Sequence, residues 1–121
     1  MARAAGAGGT EQGMLMTTFD KRKDEAEARF KHDQEFKFKA TARRNKLLGL
    51  WAAEQMGVGG ASAETYAKAV VVADFERPGD EDVVDKLVRD FAEAGVAIDA
   101  HRVRKEMARL MAVALEQLKE E

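Results

Sequence analysis

Residues 78–99 read PGDEDVVDKLVRDFAEAGVAID. This stretch holds one complete helix, with both ends marked, and the start of another. Pro78-Gly79 breaks whatever precedes it, because the residue before a proline avoids the α region. Asp80, Glu81 and Asp82 follow, three acids where a helix dipole and its unpaired amides favour negative charge. Val84, Leu87, Val88 and Phe91 then recur at i, i+3, i+4 and i+7, the apolar stripe of an amphipathic helix. Gly95 fits a left-handed stop, with Val96 as the hydrophobic partner of a Schellman motif. Asp99 is placed to cap the next helix.

Outward from this stretch the same pattern repeats. Downstream, Val103, Met107, Leu110, Met111, Ala114 and Leu118 keep helical spacing. Upstream, a segment begins near Ser62, a plausible N-cap, and ends before Arg77. Its apolar positions Tyr66, Val70 and Ala73, with Ala67, Val71 and Phe75, suit a helix, although Val70-Val71-Val72 alone would suit a strand. Gly57, Gly59 and Gly60 form the loop before it. Before that loop lies one long segment, from about Thr18 to Met56. Short connections make consecutive helices antiparallel neighbours, so the predicted fold is all-α, a four-helix bundle.

The long segment has two parts. From Phe36 to Met56 apolar residues lie on two faces: Phe36, Ala40, Leu47, Leu50 and Trp51 on one, Phe38, Ala42, Ala53 and Met56 on the other. The core is expected to begin near Phe36. From Asp20 to Glu35 only Ala26, Ala28 and Phe30 are apolar. A helix over the whole segment would span about 57 Å, about twice the length of its neighbours, so its N-terminal part overhangs as a flexible arm. Glu25–Arg29, Glu27–Lys31 and Glu35–Lys39 support helix there at about 0.2–0.5 kcal/mol each. That is too little to hold an isolated helix rigid. The expected divisions are a disordered extension over 1–15, where small residues cannot offset their ordering entropy, an arm over 16–35 and a bundle over 36–121.

Composition narrows the function. The chain has 121 residues, 35% of them charged, with one proline, no cysteine and a net charge of -2. One domain fits that length. Without cysteine there are no disulfides, thiolate metal sites or cysteine nucleophiles. The acidic balance predicts no general attraction to nucleic acid or to anionic membrane. No run of about 18 apolar residues crosses a membrane. Ser62 is the only serine and has no nucleophile-elbow context. His32 and His101 lie far apart and read as surface residues. No catalytic residue and no metal ligand set is predicted. Gly57-Val-Gly-Gly60 lacks the spacing of a phosphate loop and reads as a connection.

Two features remain. Lys37, Lys39, Arg43, Arg44 and Lys46 form a basic run with no acid between Glu35 and Glu54, flanked by Phe36, Phe38 and Trp51. This run suits a phosphate-bearing ligand, with Trp51 stacking on a base. It equally suits a basic face that neutralises Asp74, Glu76, Asp80, Glu81, Asp82 and Asp85. The second feature is the arm. Thr17, Thr18 and Phe19 precede the charged run, Asp20 is a possible N-cap, and Phe30 stands alone on a polar surface. Such a segment suits docking into a partner's groove; it also suits a solvated terminus.

The stretch MTTFDKRKDEAEARFKHDQEFKFKATARRNKLLGLWAAE, Met16–Glu54, resembles the zeta-subunit family of bacterial F1-ATPase inhibitors. YAKAVVVADFERPGDEDVVDKL, Tyr66–Leu87, is similar to the same family. ARRNKLLGLWAAE and FERPGDEDV are the specific strings, and the likeness extends over about residues 16–120. The resemblance implies a four-helix bundle and a non-catalytic regulator of the F1F0 ATP synthase, peripheral to the membrane on the cytoplasmic side. It implies that the segment from Met16 to about Glu35 inserts where the catalytic α and β subunits meet the γ stalk, blocking rotation in the hydrolytic direction. Thr17, Thr18, Phe19, Asp20, Arg22, Ala26 and Phe30 would face that partner. It also implies ADP or ATP as a regulatory ligand of the bundle, with no cofactor required and a monomer when free. Lys37, Lys39, Arg43, Arg44, Lys46 and Trp51 are the nucleotide-binding candidates. The alternative function is a nucleotide-sensing bundle whose occupancy controls the arm.

Overall fold

The computed structural model describes the backbone from Ala2 to Glu121 and the side chains from Arg22 onward. Among the described residues four helices follow in order: α1 (Ala2–Gln55), α2 (Gly60–Glu76), α3 (Asp80–Glu93) and α4 (Ala100–Lys119). Among the described residues there is no strand. The chain divides into two units, Met1–Lys37 and Phe38–Glu121.

In the first unit every described side chain, 22–37, is exposed. Phe30 is 66% exposed and Phe36 37%. The core therefore starts at Ala40, four residues later than the apolar pattern suggested. The expected Glu25–Arg29 and Glu27–Lys31 pairs do not close here, while His32 Nδ1 lies 3.8 Å from Asp33 Oδ1. Fully exposed long side chains gain too little from pairing to hold one geometry.

The second unit is the bundle. Leu48 and Ala52 of α1, Val70 of α2, Val83, Val84, Leu87 and Phe91 of α3, and Val103, Met107 and Leu110 of α4 form one buried cluster. Contacts fix the directions. Asn45 meets Asp74 while Gly49 meets Ala67, so α1 and α2 are antiparallel. Arg44 meets Asp80 while Trp51 meets Phe91, so α1 and α3 are parallel. Arg43 meets Gln117 while Trp51 lies under Arg102, so α1 and α4 are antiparallel. This is the up-down-up-down arrangement that the short connections predict.

Helix ends follow local chemistry. Val96 N–H donates to Phe91 O at 2.8 Å and Gly95 N–H to Ala92 O at 3.1 Å, with Gly95 at φ 72°. That is the Schellman pair expected for α3. Asp99 Oδ1 accepts from Arg102 N–H at 2.9 Å and caps α4 as expected. Ser62 does not cap α2. The helix begins two residues earlier, at Gly60, after Gly59, which offers no side-chain cap. The glycine-rich loop lets the backbone enter the helix before the serine.

Gly49 is not a weak point in α1 but a crossing point. A Cβ there would lie 2.6 Å from Ala67 Cα and 3.3 Å from Val70 Cγ2. Only glycine permits this approach of α1 to α2. The approach also settles the three valines of α2. Val70 is buried against α1, whereas Val72 turns outward at 51% exposed. Phe75, expected on the inner face, is 69% exposed and stacks edge-to-face on Phe38, with ring centroids 6.1 Å apart.

Candidate functional site

The basic run on α1 splits when folded, because successive helical residues point in different directions. Lys39, Arg43 and Lys46 share one face at i, i+4 and i+7. They line a groove of about 590 Å³ between α1, α2 and the end of α4. Lys68 from α2 joins them, and Ala42, Val71, Val72 and Leu118 supply apolar wall. The carboxylates present are Glu64 and Glu121, so cations outnumber acids in the groove. Arg43 is committed within the chain: one guanidinium nitrogen donates to Gln117 Oε1 at 3.0 Å and another to the Glu121 carboxylate. Among the described residues no salt bridge engages Lys39, Lys46 or Lys68.

The other nucleotide candidates lie elsewhere. Arg44 is only 4% exposed. Its Nε and Nη2 donate to Asn45 Oδ1 at 3.2 and 3.0 Å, and Nη2 also donates to Asp80 Oδ1 at 2.9 Å. Asn45, 1% exposed, donates through Nδ2 to Asp74 Oδ2 at 2.8 Å. Asp74 Oδ1 in turn accepts from Gly79 N–H at 3.3 Å. A polar chain thus runs from the buried Arg44 and Asn45 of α1 out to the exposed turn between α2 and α3, and no buried side-chain polar atom is left without a partner among the described residues. Arg44 serves the second use of the basic run, neutralising the acidic stretch. Trp51 does not reach the groove. Its ring meets Phe91 edge-to-face at 5.6 Å, and the Arg102 guanidinium lies 5.9 Å from its centre. Lys37 belongs to the first unit.

Of the arm residues, Thr17, Thr18, Phe19 and Asp20 lie outside the described side chains, as does the 1–15 extension. Arg22, Ala26 and Phe30 are exposed. His32 and His101 are also exposed. Among the described residues no group of three His, Cys, Asp or Glu is arranged for a metal ion. No described helix is long and apolar enough to cross a membrane.

Electrostatics elsewhere are structural. Tyr66 donates to Asp90 Oδ2 at 2.6 Å, and Lys86 Nζ approaches the same oxygen at 3.1 Å. Burial, then the bond to Asp90, pushes the Tyr66 hydroxyl well above the usual phenol range. Arg104 grips Glu81 through two hydrogen bonds at 3.2 and 2.9 Å. Those bonds, then charge attraction, hold the Glu81 carboxyl below its ordinary value.

The two strings that carried the resemblance are thus physically joined: Arg44 and Asn45 of one meet Asp80 and the neighbouring Asp74 of the other. Comparison with known families agrees with what they suggest: ATPase inhibitor subunit zeta matches residues 16–117. The chain belongs to the ATPase inhibitor subunit zeta family. Membership makes it a regulatory ATPase inhibitor by kind, a subunit that restrains an enzyme. The zeta match opens at Met16, where the likeness read from the sequence also opens. No curated protein matches the chain. One solved chain, described as "Solution NMR structure of the protein", is 48% identical. The alignment covers 69% of this chain and 94% of that one, with a TM-score of 0.61.

Sequence reading missed two members of the groove and the buried chain. Lys68 is an isolated charge, and only its i+3, i+4 and i+7 neighbours Val71, Val72 and Phe75 mark a face. Asn45 is one polar residue in a basic run, with no local signal of its burial.

Proposed function

We propose that this zeta-family chain inhibits ATP hydrolysis by the F1 part of ATP synthase, through the segment from Met16 to about Glu35. The observation that carries this reading is the unbroken exposure of side chains 22–37 within a helix. A helix that buries no face draws no stability from packing, and helices are marginal in water without it. A groove on the ATPase would supply the missing burial. Insertion at the contact of the α and β subunits with the γ stalk wedges the rotor. Phe19 and Phe30 are the apolar anchors, and Thr17, Thr18, Asp20, Arg22 and Ala26 line the contact; Asp20 falls within α1 rather than at its start. The charged residues between them set register and speed encounter. The protein acts as a monomer at the cytoplasmic face of the synthase.

The test is steady-state hydrolysis by purified F1 with the full chain and with a Phe19→Ala, Phe30→Ala version. The expected result is inhibition by the first and a large loss of potency in the second. Equal inhibition by both would remove the arm from the mechanism.

A second reading is favoured by one observation, the collection of Lys39, Arg43, Lys46 and Lys68 in one groove. ADP or ATP would place its phosphates among these cations and would bias the chain between arm-docked and arm-free states by binding one better. Titration with ADP, following amide shifts at these positions, checks it. Saturable shifts confined to the groove support the reading. A flat response up to millimolar nucleotide would discard it.

A further inference from the structure

The bundle carries a feature that neither its own packing nor the arm explains. Five large apolar side chains are exposed in the described part of the chain, and three belong to one surface: Phe38 at 59%, Val72 at 51% and Phe75 at 69%. Phe38 and Phe75 touch edge-to-face. Val72 lies one turn from Phe75 on the same side of α2 and, with Phe38, lines the lysine-rich groove. Two phenylalanines held against each other in water are unusual for a surface with no partner, since exposed clusters of this kind mark interaction sites. Aromatic residues are also what interfaces concentrate at their energetic centres. Lysines suit the rim, where the ammonium stays wet and the stem covers apolar surface.

We propose that this face, Phe38, Val72 and Phe75 with Lys39 and Lys68 beside it, is a second docking surface for the ATPase, one that takes an acidic segment bearing an apolar side chain. Charge selects the occupant. Lys39, Lys46 and Lys68 have no ionic partner among the described residues, and cations outnumber carboxylates in the adjoining groove. A second copy of the chain fits poorly, because a two-fold dimer brings a patch against itself and so sets these lysines against their own equivalents. Nucleic acid is disfavoured by the net charge of -2. The proposal rests on the inhibitory reading above and extends it: the arm stops the rotor, and the bundle lengthens the stay.

The experiment compares the unmodified full chain with two full-length variants, Phe38→Ala/Phe75→Ala and Lys39→Glu/Lys68→Glu. Both pairs are exposed, so thermal melts by circular dichroism are expected to coincide with that of the unmodified chain. Dissociation of fluorescently labelled protein from purified F1 is then followed. The aromatic variant is expected to leave about tenfold faster while still reaching full inhibition at saturation. The lysine variant is expected to associate about tenfold more slowly at low salt, a difference that shrinks as salt rises. Unchanged rates in both variants, with the unmodified chain still inhibiting, would overturn the second surface and leave the arm mechanism standing. Failure of the unmodified chain to bind F1 at all would overturn both. Sedimentation showing a dimer that the aromatic variant abolishes, with F1 binding intact, would assign the face to a second copy and overturn the proposal.

Discussion

Two parts of one helix obey different rules. Between Arg22 and Lys39 no side chain of α1 is buried; between Ala40 and Ala53 Ala40, Arg44, Asn45, Leu48, Ala52 and Ala53 all are. Propensity does not separate the two stretches, because both are rich in good helix formers. What separates them is a neighbour. The second stretch has α2, α3 and α4 to pack on, and its helix is held by that burial. The first has charge all round, and its phenylalanines Phe30, Phe36 and Phe38 all stay exposed. Helical secondary structure and helical stability are separate properties, and the proposed function puts the ATPase where the two part.

That contrast can be broken by substitution. The largest effect is expected in the core. Phe91→Ala should cost about 3–5 kcal/mol, because the ring is fully buried and stacks on Trp51. Phe30→Ala removes the same side chain from the arm and should change stability by no more than about 0.5 kcal/mol. Urea unfolding of the two variants measures both. Similar losses would mean that the arm is packed after all.

Gly49→Ala is the next test. In an exposed helix this change stabilises by about 1 kcal/mol. Here the new Cβ would meet Ala67 Cα at 2.6 Å. Overpacking should reverse the sign and destabilise by about 1–3 kcal/mol. Asn45→Ala should cost about 1–3 kcal/mol as well, by leaving the buried Arg44 guanidinium and Asp74 each short of a partner. Amide shifts for that variant should spread to Gly79 and Asp80 in the α2–α3 turn, and shifts confined to α1 would argue against a connected chain.

The smallest effect concerns pH. Arg104 holds Glu81 below its ordinary value. A carboxyl lowered on folding adds stability above its unfolded pKa and loses it as pH falls through the folded one. The pair is fully solvated, so the gain is slight. Arg104→Met should return the Glu81 titration, followed by carboxyl NMR, upward to the ordinary range. An unmoved midpoint would assign the shift to another cause.

Much of the fold was legible because its signals are local. Gly95-Val96 and Asp99 mark their helix ends within a few residues, and the α3 and α4 stripes need only periodicity. Lys39, Arg43 and Lys46 could be grouped by spacing alone. Arg44 and Trp51 could not be separated from them, since the partners that claim these side chains, Asp80 and Phe91, lie 36 and 40 positions away in the chain. Phe75 shares helical spacing with Ala67 and Val71 yet stays exposed, for the same reason. Helical spacing says which residues share a face and not which face finds a neighbour. Lys68 needed the α1–α2 crossing at Gly49, which only the tertiary structure displays.

Side chains 22–37 bury no face in the free protein, and the proposed function has them bury one on the ATPase. Amide hydrogen exchange of the full chain, alone and bound to F1, tests this most directly. Near-unprotected amides are expected over 22–37 in the free protein, protected amides over 40–53 in both states, and strong protection of 22–37 only on binding. Equal exchange of 22–37 with and without F1, in a sample shown to be bound, would contradict it.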